Sequence, residues 1–521
     1  MTKTPTDEFA SSSAAALAGS PPLGAGPEGA SFFGHPRGLG TLFFTEMWER
    51  FSYYGMRALL VLFMTAAVAD GGLGFGVAKS AAIYGLYTAF VYVVALPGGW
   101  IADNLLGQRR AVLWGGIIIA AGHFSMAVPG LPTFYLGLGL IVAGTGLLKP
   151  NVSAMVGELY QGQESARRDA GFSIFYMGIN LGAFFAPLVT GFLGEKINWH
   201  LGFAAAGVGM VFGVIQYMAG GKYLGEAGLY PEAHEPDVLA RKKRGLYAGL
   251  AIVAVALVLL FFVFDVGAEE INRAGTALIV GITAVYFLYL FIAGGLTAQE
   301  KKQVGAIGVF FLAAAIFWSG FEQAGSSLNL VAEKLTNLHV LGWEAPASWL
   351  QSVNPLFIIA LAPVFAWLWV YLSNKHLEPS SPVKFAAGLI LLGAGFAVMI
   401  LAAARAESGH LVSPLWLIVT YFLHTTGELT LSPVGLSKVT QLAPKRMVSQ
   451  MMGIWFLAAS LGNLIAGQLA GLIGTGQGAG GEISAAAAQH IFTIVTYMSV
   501  GAGVVMLVIA PLVKRWMGAV K

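Results

Sequence analysis

Long apolar runs separated by short polar segments repeat along the chain from residue 41 onward. Each run is long enough to cross about 30 Å of hydrocarbon as a helix. The runs occupy residues 41–69, 78–102, 111–129, 132–150, 170–190, 200–220, 245–265, 275–296, 304–330, 348–373, 384–404, 412–438, 449–473 and 488–513. The pattern predicts an all-α polytopic membrane protein with about fourteen transmembrane helices.

The segment before the first run is rich in Ala, Ser, Gly and Pro. Ala-Leu-Ala at 16–18 resembles a signal cleavage site, but Asp7 and Glu8 stand where a basic leader would be expected, and a long apolar run is missing. We therefore predict a disordered cytoplasmic tail over residues 1–38, with a cleaved signal as the alternative.

Composition supports a membrane protein. Of the 521 residues, 57% are hydrophobic and 11% charged, against roughly 25% charged in soluble domains. The chain has no cysteine, which excludes disulfides, thiolate metal sites and a cysteine nucleophile. Because the net charge is only +3, the positions of the charged residues are more informative than their sum.

The basic residues indicate the orientation. With the amino terminus in the cytoplasm, 20 of the 29 Lys and Arg residues fall on the cytoplasmic side and five on the other. The five are Lys79, Lys196, Arg273, Lys334 and Arg405. Cytoplasmic loops carry an excess of Lys and Arg, so this asymmetry predicts that both termini are cytoplasmic.

Six predicted spans precede a basic run at 241–244, six form the end of the chain, and two extra hydrophobic spans lie between them. We predict an N-terminal six-helix bundle over 39–222, a basic linker with two inserted helices over 223–302, a C-terminal six-helix bundle over 303–515 and a cytoplasmic tail over 516–521. Two bundles of this kind can enclose a path at their interface and rock about it.

The first span contains four charges, at Glu46, Glu49, Arg50 and Arg57. At 100° per residue, these residues and the adjacent tyrosines project within about 140° of one another. Four charges at the bilayer centre would cost on the order of 10 to 14 kcal/mol. This face must therefore look into the bundle or a wet cavity, since a solvated helix end does not account for Arg57.

Three further charges interrupt other spans: Lys149, Glu322 and Glu428. Pro150 and Pro433 stand close to two of them, where a proline interrupts or kinks a helix. Bases in one half and an acid in the other form a dipolar site, which suits a zwitterion with separated carboxylate and amine groups.

At these residues the sequence resembles the proton-dependent oligopeptide transporter family of the major facilitator superfamily. The matching segments are "EMWERFSYYGMR" (46–57), "GGWIADNLLGQRR" (98–110), "GTGLLKPN" (144–151), "FYMGINLGAFFAPL" (175–188), "FEQAGSSL" (321–328) and "GELTLSPVGLS" (427–437). The resemblance implies the major facilitator fold and a bacterial inner-membrane symporter of di- and tripeptides and protons. Because twelve core spans can form a complete path in one chain, we expect a monomer as the functional unit.

The resemblance also implies roles for matching residues. Arg57 and Lys149 would attract the peptide carboxylate, and Asn180, Asn354 and Glu428 would hold the amino end. The pockets would be lined by Tyr54, Tyr92, Tyr176, Trp318, Ser432 and Trp455. The proton-linked network would contain Glu46, Glu49, Arg50 and Lys149, and Glu322 would pair with Arg57 on the extracellular side.

Other readings are weaker. His424 and Glu428 have a spacing that can chelate a metal, but no second His or Cys cluster accompanies them, so we expect no metal and no cofactor.

A different cargo on the same fold, such as nitrate or a drug, is the first alternative function, although a simple anion would not need Glu428. A membrane enzyme or receptor is the second, and the chain offers no catalytic constellation. We expect membrane lipid but no nucleic acid among its partners.

Overall fold

The structure is a computed structural model that describes residues 31–163, 165–231, 235–259, 266–340, 342–475 and 483–518. The described part of the chain forms fourteen helices of at least 20 residues, in agreement with the predicted all-α fold. They are α1 Arg37–Thr65, α2 Val77–Leu106, α3 Gln108–Ala127, α4 Leu131–Glu158, α5 Ser165–Lys196, α6 Trp199–Gly220, α7 Pro236–Val258, α8 Ala268–Ala293, α9 Ala298–Leu335, α10 Val353–Asn374, α11 Ser381–Ala406, α12 Leu415–Leu442, α13 Val448–Gly471 and α14 Ala485–Met517.

Eleven of these helices are long and apolar enough, within the described residues, to cross a membrane by length and composition alone. The other three are α1, α7 and α12. The predicted site residues explain two of these exceptions, because α1 carries four charges and α12 carries Glu428 among hydroxyl side chains. The charges of α1 are nevertheless buried, so the helix presents them to the protein and not to lipid.

The helices pack as two bundles. In the first, α1 lies against α5 and α6, and α3 lies against α4 and α6. In the second, α11 lies against α12 and α14, and α9 lies against α13. Small residues allow close approach: a Cβ at Gly115 of α3 would come within 2.7 Å of the Gly144 carbonyl of α4.

Helices α4 and α12 both continue through their internal prolines. We expected Pro150 to interrupt its helix and Pro433 to unwind or kink the other, but α4 runs unbroken from Leu131 to Glu158 and α12 from Leu415 to Leu442. The surrounding helices keep both segments helical, although each proline removes one backbone donor.

The boundaries of the non-bundle segments differ from the predicted ones. Residues 1–30 of the predicted tail lie outside the described residues, as do residues 519–521. Residues 31–36 are ordered against the first bundle, where His35 Nδ1 is 2.8 Å from the Tyr160 hydroxyl. Burial and the nearby Arg167 guanidinium lower the pKa of His35.

The basic run at 241–244 is helical, because α7 already begins at Pro236, a residue suited to a first helical turn.

The inserted helix α8 touches both bundles, since it packs on α2 of the first and on α13 of the second. Its Asn272 is fully buried, and its Oδ1 accepts a hydrogen bond of 2.9 Å from Gln468 Nε2 in α13. The Asn272 Nδ2 points at the Ala82 carbonyl of α2, 3.4 Å away. A Cβ at Gly85 or at Gly467 would lie 3.0 Å from this nitrogen, so the two glycines make room for the amide.

We expect the Asn272→Leu substitution to lower the free energy of unfolding by about 1 to 2 kcal/mol, because it removes buried hydrogen bonds between helices. Thermal unfolding of the purified protein in detergent would measure the change. Arg273→Ala is the matched control, because this neighbouring side chain is 65% exposed and pairs only locally with Glu270. An unchanged unfolding temperature for Asn272→Leu would show that α8 is not fastened through this amide.

One end of the molecule carries a β-hairpin, in which β1 (His339–Val340) pairs antiparallel with β2 (Trp343–Glu344). We call this the hairpin end. The opposite end, where α1 begins, is called the basic end because Arg109, Lys242, Arg446 and Lys514 lie near its helix termini.

Hydrogen bonds join the two bundles in the halves of the helices nearest the hairpin end. Asn329 Nδ2 donates to the Ala58 carbonyl at 2.8 Å, and Ser352 Oγ donates to the Phe184 carbonyl at 2.8 Å. On the other flank, Ser460 Oγ donates to the Ala89 carbonyl at 3.2 Å. The bundles are therefore tied together at the hairpin end.

Candidate functional site

The acidic and basic residues of the first half of α1 form a buried network. Arg50 forms a two-pronged pair with Glu49, in which Nε contacts Oε2 and Nη2 is 2.7 Å from Oε1. Glu46 Oε1 lies 3.3 Å from Arg50 Nε, one helical turn away. All three residues are at most 3% exposed. Glu46 Oε2 has no hydrogen-bond donor among the residues that the structure describes, so one carboxylate oxygen is free for a proton.

A second ion pair connects the bundles about two helical turns further along α1. Arg57 Nη2 is 2.5 Å from Glu322 Oε2, at the 3₁₀ turn in α9. The guanidinium also donates from Nε to the Tyr84 hydroxyl at 2.6 Å. Both charged residues are buried, at 6% and 4% exposure, so the pair can break only if a proton or water replaces the missing partner. The structure therefore brings Arg57 and Glu322 together, as the resemblance implied.

Lys149 lies between these groups. Its ammonium stands over the ring of Tyr92, 4.5 Å from the centroid, which is a cation–π contact between α4 and α2. It is within electrostatic range of Arg50, Glu46, Glu49 and Glu322. The structure forms no close ion pair for Lys149 among the described residues, and the side chain is half-buried, so the ammonium can accept an anionic partner.

In the second bundle, the Asn354 amide holds the Glu428 carboxylate. Asn354 Nδ2 donates to Glu428 Oε2 at 3.2 Å and to Thr425 Oγ1 at 2.9 Å, which links α10 to α12. Glu428 is half-buried and within electrostatic range of Arg57, Glu322, Tyr54 and Tyr176. Tyr54 and Tyr176 belong to the first bundle, so the Glu428 carboxylate faces across the interface between bundles.

The remaining predicted residues are placed less directly. Asn180 bonds its own helix, donating from Nδ2 to the Tyr176 carbonyl at 3.0 Å. Trp318 packs edge-on against Phe321, with ring centroids 5.4 Å apart. Ser432 is half-buried one turn beyond Glu428. Contacts with substrate for these residues remain predictions.

Trp455 lies inside the second bundle. Its ring packs against Gly435, and its centroid is 6.4 Å from that of Phe385. It is 9% exposed and contacts neither Arg57 nor Lys149 among the described interactions. Its contact with substrate stays a prediction.

Sequence reasoning missed two residues of the site. Tyr84 holds the Arg57 guanidinium, and Thr425 shares the Asn354 amide with Glu428. Tyr84 sits in an apolar run with no charged neighbour, so nothing local marks it. Thr425 is three residues before Glu428 on the same helix face, and that spacing could have pointed to it.

Two other features lie outside the site. His424 Nε2 bonds the Leu392 carbonyl at 3.2 Å, and no group of three metal-ligating side chains occurs among the described residues. A cavity of about 530 Å³ opens at the basic end beside Glu158, Tyr160 and Arg168. None of the predicted site residues lines that cavity.

Comparison with known proteins agrees with this architecture. The chain is 45% identical over 460 residues to the peptide transporter YePEPT of Yersinia enterocolitica subsp. palearctica, covering 85% of this chain and 89% of that one. It is 40% identical over 506 residues to a di-/tripeptide transporter of Lactococcus lactis subsp. cremoris, covering 94% and 98%. A crystal structure of a peptide transporter POT in complex with sulfate superposes with a TM-score of 0.87 at 43% identity, covering 95% and 98%.

These relatives are multi-pass membrane transporters and not enzymes. The model of the POT family, PTR2, matches residues 109–485, which include four of the six segments that carry the resemblance and the last residues of the fifth. With relatives of this similarity over almost the whole chain, the protein belongs to the POT family of transporters.

Proposed function

We propose that this protein is a proton-coupled symporter that imports di- and tripeptides through the interface between its two bundles. The observation that carries the proposal is the separation of charge across that interface. Lys149 and the α1 network stand on the first bundle, and Glu428 with Asn354 stands on the second. A peptide presents a carboxylate at one end and an amine at the other, so it complements both sides at once.

Counting charges explains why a proton would travel with the peptide. Glu46, Glu49, Arg50 and Lys149 sum to zero when all are ionised. A proton on either acid leaves the group with a net positive charge, which favours the peptide carboxylate beside Lys149. By linkage, the bound carboxylate in turn favours the proton. Each ligand therefore strengthens the binding of the other, as symport requires.

Alternating access is supported by the location of the cross-bundle contacts. The Arg57–Glu322 pair and the bonds from Asn329 and Ser352 lie toward the hairpin end. Toward the basic end, Tyr176 of α5 and Leu436 of α12 are 43% and 44% exposed. With the basic end in the cytoplasm, as the distribution of Lys and Arg favours, this arrangement is closed to the outside.

The proposal also includes the membrane, the orientation and the oligomeric state of the transporter. The first and last described residues, 31 and 518, lie at the basic end, so both termini would be cytoplasmic in a bacterial inner membrane. One chain supplies both bundles and every residue of the site, so we infer that a monomer in membrane lipid is the transporting unit.

The direct test is uptake of labelled dialanine into liposomes that contain the purified protein. An acidic exterior and an inside-negative potential should produce accumulation. One proton supplies about 2.3 kcal/mol per 100 mV and about 1.4 kcal/mol per pH unit, which sustains a gradient of several hundredfold. Uptake that is indifferent to both gradients would refute proton coupling, and failure of a peptide panel to bind would refute the peptide assignment.

We expect Lys149→Gln to weaken recognition of the peptide carboxylate and Glu428→Gln to weaken recognition of the peptide amine. In Lys149→Gln, the apparent affinity for dialanine should fall about tenfold or more, and dialanine amide should lose much less, because it lacks the carboxylate. In Glu428→Gln, N-acetyl-dialanine should be the less affected ligand, because it lacks the amine. Competition against labelled dialanine measures both. If the apparent affinity for all three ligands falls equally in both variants, neither residue binds a peptide terminus.

A further inference from the structure

The inserted helix α8 is fastened to the second bundle at both of its ends. Near the hairpin end, where α8 begins, Gln468 Nε2 of α13 donates to Asn272 Oδ1 at 2.9 Å and to Thr276 Oγ1 at 2.8 Å. Toward the basic end, the Tyr286 hydroxyl donates to Gln450 Oε1 at 2.6 Å, again on α13. These bonds attach α8 to the second bundle, so we expect the helix to move with that bundle.

The hydrogen bonding of α8 to the first bundle is different, because it occurs near the hairpin end alone. Among the hydrogen bonds of the described residues, one joins α8 to the first bundle, from Asn272 Nδ2 to the Ala82 carbonyl of α2 at 3.4 Å. Asn272 is fully buried, so neither lipid nor water reaches this amide. One side chain thus connects α8 to both bundles.

Asn272 lies where the backbones of α2 and α13 come closest. A Cβ at Gly85 of α2 would be 2.9 Å from the Asn463 carbonyl oxygen and 3.0 Å from the Gly467 Cα of α13. A Cβ at Gly467 would be 2.7 Å from the Ala81 carbonyl oxygen. We call this contact of Gly85 with Gly467 the glycine seam. The Asn272 amide nitrogen is 3.0 Å from the Cβ position of either glycine, so it touches both sides of the seam.

We propose that α8 is a clamp that holds the gate shut, where the gate is the interface between the bundles at the hairpin end. Because Gln468 keeps the Asn272 amide on α13, separation of the seam breaks its bond to Ala82, and hydrocarbon offers no other acceptor. The closed state contains this contact and the open state lacks it, so the clamp shifts the equilibrium toward closure. This inference rests on the alternating access of the proposed function, and it gives the inserted helix a role in that movement.

The test measures the gate directly and does not require transport. Because the chain has no cysteine, nitroxide labels can be attached to Val68→Cys and Leu411→Cys without background. These residues lie at the hairpin end of the first and second bundle and are 73% and 56% exposed. Pulsed electron–electron distance measurements on the labelled protein in liposomes give the ratio of open to closed molecules.

We expect Asn272→Leu to raise the open-to-closed ratio by about threefold, the average effect of one hydrogen bond between membrane helices. Asn272→Ser is the second variant, in case the leucine impairs folding. Its shorter side chain keeps a hydroxyl on the side of Gln468 but withdraws from α2, so the ratio should rise by a similar factor. A monodisperse protein that still binds peptide excludes unfolding as the cause.

Two control variants loosen α8 on its own bundle without reaching α2. Thr276→Val removes a bond to Gln468, and Tyr286→Phe removes the bond to Gln450. Both should leave the open-to-closed ratio unchanged. Gly85→Ala places a methyl group in the seam, so it should raise the ratio and show that the labels report on this contact.

Three results would overturn the clamp. The first is an unchanged ratio in both Asn272 variants, and the second is an equal rise in Tyr286→Phe, which would trace the effect to loosened packing of α8. The third is an unchanged ratio in Gly85→Ala, which would show that the seam is not part of the gate. If the parent gives a single distance with and without peptide at every pH, alternating access itself fails. Two distances that ignore Asn272 refute the clamp alone.

Discussion

Glu49→Gln is expected to abolish proton-driven accumulation of dialanine, reducing it from several hundredfold to the concentration of the medium, while exchange of labelled for unlabelled peptide continues. Glu49 is fully buried and forms both prongs of the pair with Arg50. The amide cannot ionise, so the network no longer returns to its neutral state after the peptide has left. Peptide still complements Lys149 and Glu428, and exchange does not need that return.

Uptake and counterflow in the same liposome preparation measure the two activities. Glu407→Gln is the matched control, because this acid is exposed at the end of α11 and faces no partner bundle. Accumulation that persists in Glu49→Gln would assign proton coupling elsewhere, with Glu46 the next candidate because its Oε2 has no donor in the described residues. Loss of exchange as well would mean that Glu49 is needed for binding or movement and not for the proton alone.

Glu322→Gln is expected to lose both accumulation and exchange. Arg57 would then be buried without a counter-ion, although it keeps its hydrogen bond to the Tyr84 hydroxyl, and an uncompensated buried charge costs about 3 to 5 kcal/mol. The closed hairpin end is the state that contains the pair, so the penalty falls on that state. Molecules should shift toward the open hairpin end, where water can reach the guanidinium.

The shift can be followed by distance measurements between nitroxide labels attached to Val68→Cys and Leu411→Cys, two exposed positions at the hairpin end of the first and second bundle, alongside liposome uptake. Glu344→Gln is the control, because this acid is exposed at the same end of the molecule. A closed population equal to that of the parent would show that the Arg57–Glu322 pair does not hold the gate. Because Glu49 lies in the first half of α1 and Glu322 in α9, the two variants separate proton release from closure.

The buried charges of the site lie at two depths along α1. Glu46, Glu49 and Arg50 lie about two to three helical turns before Arg57 along α1. The Arg57–Glu322 pair joins the bundles nearer the hairpin end. Under the proposed function, a proton that enters from that end would meet this pair before the α1 network.

The sequence by itself determined the helical architecture and the composition of the site. Apolar runs of span length have one stable solution in lipid, because every backbone donor must be satisfied within the helix. The charges of α1 could not face hydrocarbon, so their common face had to look inward, and the structure buries all four. Family motifs then supplied Glu322 as the partner of Arg57, and this pair is formed.

Only the tertiary structure decided how the bundles meet. Tyr84 reaches Arg57 from another helix, Asn272 spans α2 and α13, and Glu195 caps a turn more than 150 residues away in sequence. No local pattern marks such residues, because hydrogen bonds between distant helices depend on which faces pack and at what depth. For the same reason propensity did not predict the start of α7 at Pro236, before the basic run at 241–244, or the unbroken course of α4 and α12.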